Sequence, residues 1–242
     1  MAVGFFNPEG IFASALGTSV GEVQTTNHST SQQRAAAADK HGDEKTSTLY
    51  GGQDSVTETF KVFQSEGTFS VANIVPGTVV DGYHVDSLTV TWSPTDFPEV
   101  SVSAHKHTDL ATGVTSHGTP HRKAVSSLQP PAGFGACGIA ALVGVEDTSI
   151  APSGATYTLG ITHEDAQDCG GGYLASQNRD GVETLQVNFV GIATIDQSSG
   201  KPMEGWDMTA SSKDKGNTAA ETSSFTFEKH HTTYDGDGSS GT

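Results

Sequence analysis

Basic residues are scarce in this chain. Lys and Arg together number 12 against 28 Asp and Glu, a formal charge of −16 over 242 residues. Binding nucleic acid by counterion release draws on clustered Lys and Arg, and the few present are scattered, so no sequence-specific nucleic-acid partner is expected. Hydrophobic residues are sparse as well, at 34%, which suits thin β layers better than a thick helical core. The one run rich in helix formers is Gln32 to Ala38, about two turns long. No stretch approaches the ~18 apolar residues that a membrane-crossing helix needs, and no membrane partner is expected. The opening Met1-Ala2-Val3-Gly4-Phe5-Phe6-Asn7-Pro8 has neither a basic head nor a long apolar run, so no signal peptide is expected. Cysteine is nearly missing. Cys137 and Cys169 stand far apart, form no CxxC and no zinc-ligand spacing, and are expected to be reduced thiols.

What the chain does have is glycine, 29 residues of it, with Ser and Thr in nearly every segment, and short stretches that alternate apolar and polar. Val56 to Phe63 is the first to do so, apolar at 56, 60 and 62. Gly67 to Val75 reads as a second strand closed by Pro76-Gly77. Tyr83 to Trp92 alternates with a change of face at 87–88 that marks a bulge. After a turn at 93–98, Glu99 to His107 places Val100, Val102 and Ala104 inward and Ser101, Ser103, His105 and His107 outward. Asp109 to His121 and Gln129 to Gly135 read as loops, Ile139 to Val145 as a buried strand, and Thr156 to Thr162 as another. A glycine-rich loop over 168–181 leads into the longest strand signal, Val182 to Ile195. Trp206 to Thr209 and Ser223 to Lys229 complete the set. Nine or ten strands with unequal loops and no strand–helix–strand rhythm predict an all-β, mainly antiparallel sandwich or barrel.

Residues 1–55 show no sustained period. They are expected to form an irregular N-terminal arm, followed by a β domain over 56–231 and a short C-terminal tail over 232–242. Phe5, Phe6, Ile11 and Phe12 give the arm an apolar patch, expected to dock on a neighbouring subunit.

The inventory for catalysis is thin. Gly17-Thr18-Ser19-Val20-Gly21 matches G-x-S-x-G, but a nucleophile elbow needs a strand before the Ser and a helix after it. The following Glu22-Val23-Gln24-Thr25-Thr26 is no helix, so Ser19 is not expected to act. His105 and His107 project from one face of a strand, which is how some β-barrel metal sites begin. His163, His117, His121 and Asp109 are the residues able to complete such a set. The acid that follows such a pair at fixed spacing in cupin-type sites is missing, so the two rings are expected to be solvated or interfacial. No metal, no cofactor and no enzymatic activity are expected. A metal-dependent β-barrel enzyme using His105 and His107 is the alternative, and a carbohydrate-binding β module is a weaker one for want of aromatic platforms.

An irregular arm, an acidic β domain, long polar insertions between strands and a last strand Thr222 to Lys229 running into a short tail form one organisation. It resembles that of bacteriophage virion proteins, tail tube subunits in particular, over most of the chain. Residues 182–229, with Gly205-Trp206 before the last strand, are the closest part. The resemblance implies a homo-oligomer of stacked rings within a virion, assembled in the host cytoplasm. Inner sheets would close into a continuous barrel, arms would bridge rings, other virion proteins would be neighbours, and a negative lumen would let DNA slide. A head decoration or baseplate protein would share the acidity and the β content.

Overall fold

The computed structural model describes residues 10–16, 21–63, 69–114, 150, 152–195, 205–215 and 221–231. Among these residues, one short helix, α1 (Phe12–Ala15), precedes nine strands: β1 (Gly21–Ala38), β2 (Glu44–Val62), β3 (Val79–Val80), β4 (Tyr83–Ser93), β5 (Asp96–His107), β6 (Pro152–Gln167), β7 (Tyr173–Val190), β8 (Asp207–Asp214) and β9 (Thr222–His231). They form one antiparallel sheet in the order β1-β2-β5-β4-β6-β7-β9-β8, with β3 paired to β4. The fold is therefore mainly antiparallel β, as the alternating segments predict. It is a single sheet whose outer strands do not meet, so it is not a closed barrel.

Pairing register sorts the side chains into two faces. Phe60, Val100, Val90, Tyr157, Leu185 and Phe227 lie in one row across six strands, and all are fully buried. Each such side chain contributes about 2 kcal/mol on leaving water. Thr59, Ser101, Thr89, Thr158 and Thr184 make the neighbouring row on the other face. Small hydroxyls there bond across strands, as Thr57 Oγ1 does with Ser103 Oγ at 3.1 Å. Covering the apolar face are Phe12, Phe69, Val71, Ile74, Val75, Ala193, Ile195 and Trp206, all within the one core cluster.

The N-terminal third departs from expectation. Residues 21–55 are not irregular: β1 and β2 pair from Gly21↔Val62 out to Ala38↔Glu44, and β2 runs straight through position 56. Beyond Gln53, where pairing of β2 with β5 ends, the two strands continue as a two-stranded ribbon, exposed over most of its length. Both of its faces are polar, so no apolar period betrays it. Ile11 and Phe12 also differ from the docking expectation. Phe12 is fully buried in the chain's own core and Ile11 packs against it, while Phe5 and Phe6 lie outside the described residues.

Gly67 to Val75 is not a strand among its described residues, 69–75. Ile74 N donates to Val71 O and Gly77 N to Val85 O, so the segment turns, and its apolar side chains cap the core without joining the ladder. The loop expected over 168–181 is short: β7 already begins at Tyr173. The bulge in β4 falls at Asp86, between the pairs Val85↔Ala104 and Ser87↔Ser103, one residue before the expected place. The strand expected at 139–145 and residue Cys137 lie outside the described residues, while Cys169 is a free, exposed thiol.

Candidate functional site

Polar groups gather at one end of the sheet. His84 opposes His105 across β4 and β5. His163 stands three residues beyond Gly160, and His84 three before Ser87, where Ser87↔Gly160 is the last β4–β6 pair. Strand register thus sets imidazoles side by side: the ring centroid of His105 lies 5.7 Å from that of His84 and 4.6 Å from that of His163. His107, two residues on, points the same way as His105, with its ring centroid 5.3 Å from that of His105.

These rings sit on the hydroxyl-bearing face, yet they are buried. His105 is 3% and His107 6% exposed, which corrects the expectation of solvated rings. The reason is a seam formed by the residues that follow β5. Thr108 N donates to Gly52 O, Tyr173 N to Asp109 O, and Ala111 N to Tyr173 O. Residues 108–111 therefore tie β2 to the start of β7 beside the cluster. The approach requires glycine. A Cβ on Gly52 would stand 2.4 Å from Thr108 Oγ1, and one on Gly172 would stand 2.9 Å from the backbone nitrogen of Ala111. Tyr173 closes the end by stacking on His107, with ring centroids 4.5 Å apart.

Two carboxylates enter the cluster. The bulge at Asp86 turns that side chain onto His105, whose Nδ1 lies 2.8 and 2.9 Å from the two carboxylate oxygens. Asp165 lies between His107 and His163: Nε2 of His107 is 2.8 Å from Oδ2 and Nε2 of His163 is 2.7 Å from Oδ1. Burial works to raise the Asp165 carboxyl, but the imidazoles of His107 and His163 on its two oxygens outweigh it and hold it well below the usual carboxylate range. One ligand atom each from His105, His107 and Asp165 lies within 4.8 Å of the others.

The structure thus joins His105, His107 and His163, the pair and one of its four candidate partners. Asp109 contributes only backbone to the seam, and His117 and His121 lie outside the described residues. Sequence reading missed His84, Asp86 and Asp165. The first two sit opposite or beside His105 only through pairing and the bulge; the i, i+2 spacing of His163 and Asp165 on β6 was the available signal. Ser19 lies outside the described residues, and strand β1 follows it, with no helix.

A second buried polar group lies on the core face. Glu183 accepts a hydrogen bond from Tyr157 Oη at 2.8 Å and is bonded to Nε2 of His231, while His230 projects outward. Glu183 thus bridges Tyr157 and His231. No protein-family model matches the chain, and a search of curated proteins finds no relative.

The two sheet edges are the other feature able to act. Among the described residues, β1 pairs only with β2 and β8 only with β9. The ribbon carries Leu49, 58% exposed, and Val190 and Leu174 are the other half-exposed large apolar side chains.

Proposed function

We propose that the chain is a structural, self-assembling protein of a bacteriophage virion, a tail tube subunit whose sheets join edge to edge into rings. The observation that carries this reading is the pair of edges, β1 and β8, at opposite ends of one open sheet, each without a further partner strand among the described residues. An unpaired edge offers a row of backbone donors and acceptors to another chain, and strand addition satisfies them with main-chain bonds. Edges on opposite sides make a heterologous contact, which generates rings when the rotation closes.

The polar face agrees with a lumen. Its rows of Ser and Thr present small, uncharged groups, and a subunit charge of −16 lets a polyanion pass without adhering. The β1–β2 ribbon takes the place of the irregular arm. With Leu49 exposed on it, the ribbon is the element that reaches the next ring.

Electron microscopy of the purified full chain at high concentration tests the reading. Rings or stacked tubes with an open centre are expected. Closed rings that do not stack would favour a baseplate or head decoration role, and monomers alone would contradict assembly.

A further inference from the structure

We propose that His105, His107 and Asp165 bind one divalent transition-metal ion of the zinc class. Asp86 orients the first ligand, and His163 braces the last.

The donor set selects the ion class. Two imidazole nitrogens and one carboxylate oxygen suit zinc and its first-row neighbours, whereas calcium and magnesium ask for shells of oxygen. Ligands about 2.0–2.2 Å from a common tetrahedral ion stand roughly 3.4 Å apart. Two of the separations lie on either side of that: His107 Nε2 to Asp165 Oδ2 is 2.8 Å, and His105 Nε2 to the same oxygen is 3.9 Å. All three ligand atoms lie within 4.8 Å of one another, so small side-chain rotations bring them to the bound geometry.

His105 supplies the independent observation. Where the Asp86 carboxylate accepts from Nδ1–H of His105, the neutral ring presents its lone pair on Nε2. That atom is buried and makes no hydrogen bond, and it is aimed at Asp165. Leaving a buried acceptor without a partner costs free energy, and an ion removes that cost. The carboxylate–imidazole–metal relay is also the arrangement that fixes a ligand's tautomer and raises its basicity. On binding, the ion displaces the proton between His107 Nε2 and Asp165 Oδ2, which passes to solvent or to the other nitrogen of the ring.

The position gives the ion its role. His105 and His107 end β5, Asp165 lies on β6, and β4 runs between them. One ion therefore ties the two flanking strands together beside the 108–111 seam. With three protein ligands, a water completes the tetrahedron, and the ion holds that end of the sheet closed.

The test uses the full chain, stripped with chelator and then titrated with zinc and, separately, cobalt(II). Expected are one equivalent of zinc per chain after dialysis, cobalt d–d absorption of a low-symmetry site, and a melting temperature raised by roughly 5–10 °C at a hundredfold excess over Kd. His107→Ala and Asp165→Asn should each abolish the bound equivalent, whereas His230→Ala should keep it. Asp86→Asn should weaken binding about 10–100-fold and shift the cobalt bands, as a lost orienting partner would. If the ligand variants fail to fold, the wild-type titration still decides. A stripped chain that takes up no stoichiometric ion overturns the assignment, as does a bound equivalent that survives His107→Ala.

Discussion

Glu58 accepts the backbone N–H of Phe12 on Oε1 at 3.1 Å, across forty-six residues of chain. The same carboxylate takes the N–H of Ala13 at 2.9 Å and that of Ile11, on its other oxygen, at 2.7 Å. A fully buried acid on the apolar face of β2 is thereby satisfied by the donors that a helix start leaves open, and the segment before β1 is stitched into the domain. Replacing Glu58 by Ala should cost about 3 kcal/mol, since three backbone donors, two of them buried, lose their acceptor. Glu58→Gln should fall between, because its amide nitrogen cannot accept the Ile11 bond. Urea midpoints of the three proteins check the order.

Removal of residues 1–20 follows from the same contact. With Phe12 gone from the core and Glu58 uncapped, the truncated chain should melt well below the full one, by several kcal/mol in stability. A truncated domain as stable as the parent by chemical denaturation would contradict the packing of α1.

The seam over the histidines makes a prediction about glycine. Gly172→Ala puts a Cβ against the backbone of residues 110 and 111 and should destabilise by about 1–3 kcal/mol. At Gly160, where a Cβ meets nothing within 4 Å, the same change should be neutral or stabilising by a few tenths of a kcal/mol. Amide exchange at 108–111 should speed up in the first variant alone.

The ribbon tip depends on Asp39. Its Oδ1 accepts the backbone N–H of His41 and of Asp43. The His41 bond leads in setting its carboxyl below the ordinary value; desolvation opposes it, while Lys45 and the Asp43 and Gly42 N–H groups assist. A depressed acid stabilises above the unfolded carboxylate pKa, and that contribution is lost as pH falls through the folded value. Protection of residues 41–43 against exchange, taken relative to the base-catalysed intrinsic rate, should thus be constant at neutral pH and fall only in strong acid, whereas Asp39→Ala should lower it throughout.

Leu49 tests the role in assembly proposed for the ribbon. Leu49→Glu should leave the circular dichroism spectrum and melting temperature unchanged, because the side chain is exposed. It should reduce stacking of rings, read as shorter particles by electron microscopy.

Much of the β structure was legible in sequence where one face is buried. Val100, Val102 and Ala104 alternate with Ser101, Ser103 and His105 as a half-buried strand must, and Phe225 and Phe227 announce β9 in the same way. β1 was not legible: Thr25 to Gln33 is polar on both faces, and its order comes from a partner strand that no local pattern encodes. The histidine cluster was half legible. His105 and His107 share a face by spacing alone, but His84 joins them through register, Asp86 through a bulge, and burial through residues 108–111. Register is a long-range property, and local alternation does not fix it.

Sedimentation velocity of the purified full chain from low to high salt tests self-assembly most directly. Subunits of charge −16 repel, and at ~0.15 M salt that repulsion is confined to within about 8 Å. Edge pairing and apolar ribbon contacts, which salt does not weaken, should then prevail. Large species that grow as salt and concentration rise are the predicted result. A chain that sediments as a monomer at every salt and concentration would contradict the tube, and assemblies that dissolve as salt rises would contradict stacking through edges and ribbon.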